Sequence, residues 1–382
     1  MIASEPTQMG EDALAVRAAL AAARVGLVDR EVVAEVVTLC AVAGEHLLVV
    51  GPPGTAKSLA VRRIAEQLGG RYFEYLLGRF TEPNEIFGPV DLRRLREGVV
   101  EIETAGMLPE AEIAFLDEVF LGSTAILNTL LGLLNERVFR RGATVLAAPL
   151  RVCVGAANHV PEDPAQAAFA DRFLARVFVE PVADARLEEL LEEGDTRAAA
   201  RPEVPAPHAW AGLDRLAAAA LACELGSLRP VLATAIRRMR AAGVPITDRR
   251  AVRSQRLVAS AAVLDGRVVA EAGDLWTLPL IAPDPAAQTA AREVLADLIG
   301  DAANRGLFHA AEEYSRGSAA RALRLVAAGR DLLDRYGTEP ADEDRRLRLE
   351  AVLREIDAGF ATPDLGAELA AIRERLIAAV GS

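Results

Sequence analysis

The stretch Gly51-Pro52-Pro53-Gly54-Thr55-Ala56-Lys57-Ser58 carries the residue types that hold a polyphosphate. A triphosphate needs backbone N–H groups aimed at its oxygens, a cation near the β and γ phosphates, and a hydroxyl to help hold magnesium. Glycines let the chain curl around the anion, Lys57 supplies the charge, Ser58 the hydroxyl, and a helix starting at the loop offers its positive end. The motif requires a strand before it and a helix after it. The apolar run at residues 46–50 and the helical pattern at 59–68, stopped by Gly69-Gly70, meet that requirement better than a chance Gly/Pro turn ahead of a lysine.

Hydrolysis needs further groups. Phe115-Leu116-Asp117-Glu118 ends an apolar run with two carboxylates: Asp117 as the metal partner and Glu118 as the base that polarises water, against the plainer reading of an acidic helix cap. Asn158 follows the run at residues 152–157, where its amide can hold the attacking water or simply form a turn. Arg172, with Arg176 second, is a candidate finger for charge on the γ phosphoryl group, against an ion pair with Asp171 or Glu180. Asp248-Arg249-Arg250 opens a helix from which either arginine could reach the phosphates, or is only a solvated helix start. His159 reads as structural, because the four histidines do not cluster. Trp210 and Trp276 read as core residues.

Elements must bring these residues together. Two amphipathic helices are expected between residue 11 and about 43, broken near Gly26. Strands are expected at 46–50, 72–77, 113–116, 150–156 and 177–179, with a helix from about 124 to 135 and an extended Pro/Gly-punctuated stretch up to Pro109. Strands alternating with helices imply an α/β fold with a parallel sheet covered on both faces. The texture changes near residues 181–185, after which no strand signal recurs. The expected domains are an α/β nucleotide-binding domain over 1–183 and an all-α lid over 184–281. Pro283-Asp284-Pro285 reads as a linker, followed by a helical C-terminal extension over 286–382.

The pieces resemble an AAA+ ATPase of the MoxR branch, most similar to RavA-type members. The resemblance rests on Gly26-Leu27-Val28-Asp29-Arg30-Glu31, the loop at 51–58, the stretch Phe80-Thr81-Glu82-Pro83-Asn84-Glu85-Ile86-Phe87-Gly88-Pro89, residues 108–118, residues 126–131 with Asn135-Glu136-Arg137, Asp171-Arg172-Phe173, and Thr247-Asp248-Arg249-Arg250. It implies ATP and Mg2+ as ligands, with Leu27, Val28 and the loop from Gly51 to Leu59 around the nucleotide. It further implies Lys57 and Ser58 as Walker A, Asp117 and Glu118 as Walker B, Asn158 as sensor 1 and Arg249 or Arg250 as sensor 2. Arg172 or Arg176 becomes the finger reaching a neighbouring subunit of a homo-oligomeric, usually hexameric, ring. Residues 88–106 match an insert facing the ring pore. Chaperone-like remodelling of a protein partner, often with a von Willebrand factor A domain protein, is the activity implied. The C-terminal part departs from RavA-type proteins in being short and helical.

The bulk properties narrow the alternatives. At 382 residues the chain exceeds one ordinary core, and 52% hydrophobic with only 4% aromatic residues suits helices packed through small side chains. A formal net charge of -12 without basic runs argues against nucleic acid as a partner, and so against a DNA-acting, helicase-type motor. A nucleotide-switched assembly module, with turnover incidental, is the other alternative. Cys40, Cys153 and Cys223 are far apart in apolar surroundings, which fits a reducing cytoplasm. No apolar run approaches the roughly 20 residues that span a bilayer, so membrane insertion is not expected.

Overall fold

Short apolar runs bounded by polar, Gly or Pro residues make a five-stranded parallel sheet, running in order from Tyr72–Leu76 (β2) through Ile113–Asp117 (β3), Val152–Ala157 (β6) and Leu47–Val50 (β1) to Ala175–Phe178 (β7). The computed structural model describes residues 6–161, 163–182, 186–192, 209–336, 343–360 and 366–380. Strands β1 (Leu47–Val50) and β6 (Val152–Ala157) are buried throughout, β3 (Ile113–Asp117) and β7 (Ala175–Phe178) nearly so, while β2 (Tyr72–Leu76) lies half-exposed at one edge. Leu47 is level with Val154 on one side and Ala175 on the other, and Ile113 is level with Tyr72 and Val152. All carboxyl ends therefore share one edge of the sheet. The expected strands all form.

Helices α1 (Pro6–Arg24), α2 (Glu31–Ala43) and α3 (Lys57–Leu68) pack on one face. On the other face, α6 (Thr124–Glu136) and α7 (Pro164–Ala170) pack with Leu48, Leu116 and Phe173. Between β2 and β3 the chain makes α4 (Pro83–Phe87) and α5 (Leu92–Arg96). An isolated antiparallel bridge, Val90 to Ile102, closes the insert that carries α5. Against it docks a hairpin that the sequence reading did not include, β4 (Val138–Arg141) with β5 (Thr144–Ala147). Ala143 N donates to Val100 O at 2.8 Å and Ile102 N to Thr144 Oγ1 at 2.7 Å.

The helical half is not a separate lid in packing. Helices α8 (Ala209–Ala222), α9 (Arg229–Ala241), α10 (Asp248–Leu264), α11 (Pro285–Ile299) and α12 (Phe308–Arg316) share one continuous core with α1, α2 and the sheet, joining Leu213, Val258, Trp276 and Leu295 to Val37 and Leu47. Trp276 is wholly buried, and Trp210 covers Gly70, where a Cβ would sit 2.5 Å from the indole. Nor do the prolines at 283–285 separate domains. Asp284 accepts from Ala287 N at 2.8 Å and Pro285 occupies the first helical position, so the segment starts α11. A separate buried cluster begins later than residue 286. Helices α13 (Ser318–Tyr336), α14 (Glu343–Gly359) and α15 (Ala367–Val380) bury their own cluster, including Leu325, Val352, Ile356, Ile372 and Leu376. Among the described residues no helix is long and apolar enough to cross a membrane.

Candidate active site

The loop after β1 is built as an anion cradle. Gly51 N donates to Ala157 O at 3.0 Å, and a Cβ on Gly51 would lie 2.2 Å from Val179 O, so only glycine fits between the two strands. Gly54 (φ 78°) and Ala56 (φ 55°) are left-handed, a conformation that costs a non-glycine residue about 1 kcal/mol and recurs where function requires it. Ala56 opens α3 without a side-chain cap, which leaves first-turn N–H groups free to meet an anion. Thr55 Oγ1 donates to Pro52 O at 2.8 Å. Lys57 is buried, and its Nζ donates to Gly51 O at 2.8 Å and Pro52 O at 2.9 Å. Burial lowers the Lys57 pKa, opposed by the negative charges of Asp117 and Glu118.

Asp117 and Glu118 follow on the next strand but one. Asp117 Oδ1 accepts from Glu118 N at 3.0 Å, and Glu118 is itself left-handed (φ 49°), which turns its side chain across to β6. There Asn158 Nδ2 donates to Glu118 Oε1 at 2.5 Å. Strand register thus gathers Lys57, Asp117, Glu118 and Asn158 at the carboxyl edge. His159 is exposed beside them. The hydroxyl of Ser58 and the carboxylate of Asp117 are hard oxygen donors of the kind that Mg2+ takes, so the residues present fit that ion.

Arg30 belongs to this site although sequence reasoning assigned it no role. Its guanidinium is buried, donating from Nε to Thr55 O at 2.6 Å and from Nη2 to Glu180 O at 2.7 Å. It ties the turn that carries Leu27 and Val28, both buried, to the loop. No residue pattern signals this role, which depends on the left-handed backbone of the preceding Asp29 at φ 55°.

The arginines lie elsewhere. Arg172 sits in the turn entering β7, at the amino edge of the sheet, and Arg249 and Arg250 begin α10 beside that same edge. Strand β1, at about 3.3 Å per residue, places this edge roughly 13 Å from the loop. Of the two arginines expected to reach the phosphates from the start of α10, neither lies at the loop of its own subunit. Arg249 Nη2 donates to Asn135 Oδ1 at 2.6 Å. Arg250, 3% exposed, pairs with Asp171 at 2.9 Å, which also removes Asp171 as the partner expected for Arg172. Arg176 is enclosed as well: it is 5% exposed on β7, donates from Nη1 to Pro283 O at 2.6 Å, and is pushed down to about 10 by burial and the nearby Arg250. A side chain so enclosed does not extend to another subunit. Arg172 is half-buried, and its Nε has no hydrogen-bond partner among the described residues.

Residues 14–216 match the family model described as the MoxR domain in the MoxR-vWA-beta-propeller ternary systems. The uncharacterized protein MJ0812 of Methanocaldococcus jannaschii is 35% identical over 238 residues, covering 61% of this chain and 62% of its own. A second uncharacterized protein from that organism, MJ0079, is 34% identical over 237 residues, covering 62% and 61%. A structural protein of Acidianus two-tailed virus is 33% identical over 142 residues, which is 36% of this chain and 23% of that one. The chain thus spans about three-fifths of the length of the two archaeal relatives. The crystal structure of a candidate ATPase from Cytophaga hutchinsonii superimposes with a TM-score of 0.57 at 15% identity, covering 77% of this chain and 88% of that one, and so shares the fold.

Proposed function

Because the chain belongs to the MoxR family of AAA+ ATPases, we propose that it hydrolyses ATP at a site completed by a neighbouring subunit and couples turnover to remodelling a protein partner. The observation that carries this reading is the gathering of Lys57, Asp117, Glu118 and Asn158 at one sheet edge, with Arg172 at the other.

ATP enters the cradle with its phosphates against the N–H groups of the loop and the start of α3. Lys57 leaves the carbonyls of Gly51 and Pro52 for the β and γ oxygens. Ser58 and Asp117 would hold Mg2+, which would supply neutralising charge on the phosphates. Leu27 and Val28 border the base. Glu118 draws a proton from water as the water oxygen bonds to the γ phosphorus and the bond from that phosphorus to ADP breaks, with Asn158 fixing where the carboxylate points. Charge on the departing phosphoryl group then calls for an arginine, and a single subunit brings none from α10 or β7 to its own loop. Arg172, and Arg249 as sensor 2, meet that need from the next subunit of a closed ring, hexameric by family habit.

The description of the matched family supports a von Willebrand factor A domain protein as partner. The free thiols of Cys40, Cys153 and Cys223 support work in a reducing cytoplasm. Complementation tests the shared site. Arg172→Ala and Glu118→Gln should each be inactive alone, yet an equal mixture should recover about a quarter of wild-type turnover, because one interface in four pairs an intact acid with an intact finger. A mixture as inactive as its components contradicts a site shared between subunits.

A further inference from the structure

We propose that Arg250 is a positioning residue for Arg172: it clamps the turn that carries the finger and so couples the placement of helix α10 to catalysis in the neighbouring subunit. The inference rests on Arg172 acting in trans.

The geometry that supports it is local and dense. Arg250 Nη1 donates to Asp171 Oδ1 at 2.9 Å and to Phe173 O at 3.4 Å, and Nη2 donates to Leu174 O at 2.6 Å. These acceptors lie on both sides of Arg172 in sequence. The remaining donor, Nε, reaches Ile281 O at 2.9 Å, which joins the clamp to the turn before α11. Phe173 is wholly buried, edge-on to Phe169 at 5.7 Å, and its ring fills the space above Gly155. Residue 172 is therefore fixed through its neighbours. Arg172 Nε itself has no hydrogen-bond partner among the described residues.

A planar fork with five donors suits this task, and lysine does not, because one ammonium cannot meet acceptors spread over four residues. Helix α10 itself is set firmly. Thr247 caps it by accepting from Arg250 N at 3.3 Å, and Arg253 and Arg256 pair with the fully buried Glu45 just before β1. Any shift of α10 relative to the sheet is thus passed to the 171–174 turn. Misplacing a catalytic group by about 1 Å costs on the order of a hundredfold in rate, with little effect on ground-state binding.

The complementation pair extends to a test. Arg250→Gln should lower kcat by on the order of a hundredfold while nucleotide affinity stays at the wild-type value. Mixed with Glu118→Gln it should regain turnover, because the Glu118→Gln subunit donates an intact finger. Mixed with Arg172→Ala it should not. Asp171→Asn, which removes the charged partner and keeps the side-chain shape, should fall in the same class, and it carries the test if Arg250→Gln fails to fold. Recovery with Arg172→Ala but not with Glu118→Gln would place Arg250 at its own subunit's nucleotide and overturn the proposal. Wild-type turnover by either variant overturns it too. So does a wild-type rate for Asp171→Asn beside an inactive Arg250→Gln, which would mean that Arg250 meets the phosphates directly. If Arg172→Ala and Glu118→Gln do not complement each other, the premise has failed, and the proposal falls with it.

Discussion

At the scale of single residues, the chemistry is set by contiguous motifs and the support by residues distant in sequence. Lys57, Ser58, Asp117 and Glu118 were legible because phosphate and metal chemistry demands those types within a few positions of a strand end. Arg30 was not, since its acceptors, Thr55 O and Glu180 O, lie 25 and 150 positions away. The surroundings of Arg250 were not legible for a related reason. A helix-start arginine reads the same whether it faces a nucleotide or the amino edge of a sheet, and only the packing of α10 decides. Arg30→Ala removes charged donors from three carbonyls, those of Asp29, Thr55 and Glu180, each such bond being worth roughly 1.5–3 kcal/mol. Weaker ATP affinity and faster hydrogen exchange over residues 51–58 are the expected results. Unchanged exchange in the loop would show that Arg30 does not hold it.

At the scale of elements, apolar runs gave the strands and their parallel order followed from alternation with helices. The β4–β5 hairpin escaped because each strand has only four residues, and only Phe139 among them is buried. The prolines near 283 were misread because a Pro pair marks a linker or a helix start equally well, and Asp284 as a cap settles the choice. Packing across the sheet makes a sharper prediction. A Cβ on Gly155 would lie 2.9 Å from two atoms of the Phe173 ring and 3.2 Å from Val119 Cγ1. Gly155→Ala should cost about 1–3 kcal/mol in urea unfolding. Because Phe173 adjoins Arg172, turnover should fall further than nucleotide affinity. An unchanged unfolding midpoint would mean that the core has room to yield.

At the scale of the whole molecule, sequence texture marked where strands stop but not which helices share a core. In the pattern, residues 184–281 read as a lid and 286–382 as an extension, yet the helices from 209 to 316 bury their apolar faces against α1, α2 and the sheet. Helices α13, α14 and α15 bury theirs among themselves. A chain ending at Arg316 should therefore fold and retain turnover, with a thermal midpoint close to that of the full chain. A chain ending at Ala282 removes α11 and α12, with Leu295, Ile299 and Leu307 wholly buried, and should fail to fold. Circular dichroism on the two truncations separates these outcomes. The account as a whole stands on the site at the carboxyl edge of the sheet. One measurement reaches it most directly: ATP binding and phosphate release by the full chain with Mg2+, for the wild type and for Glu118→Gln. Binding by both, with release slowed by about a hundredfold or more in the variant, is the expected result. Equal release by the two proteins would contradict it.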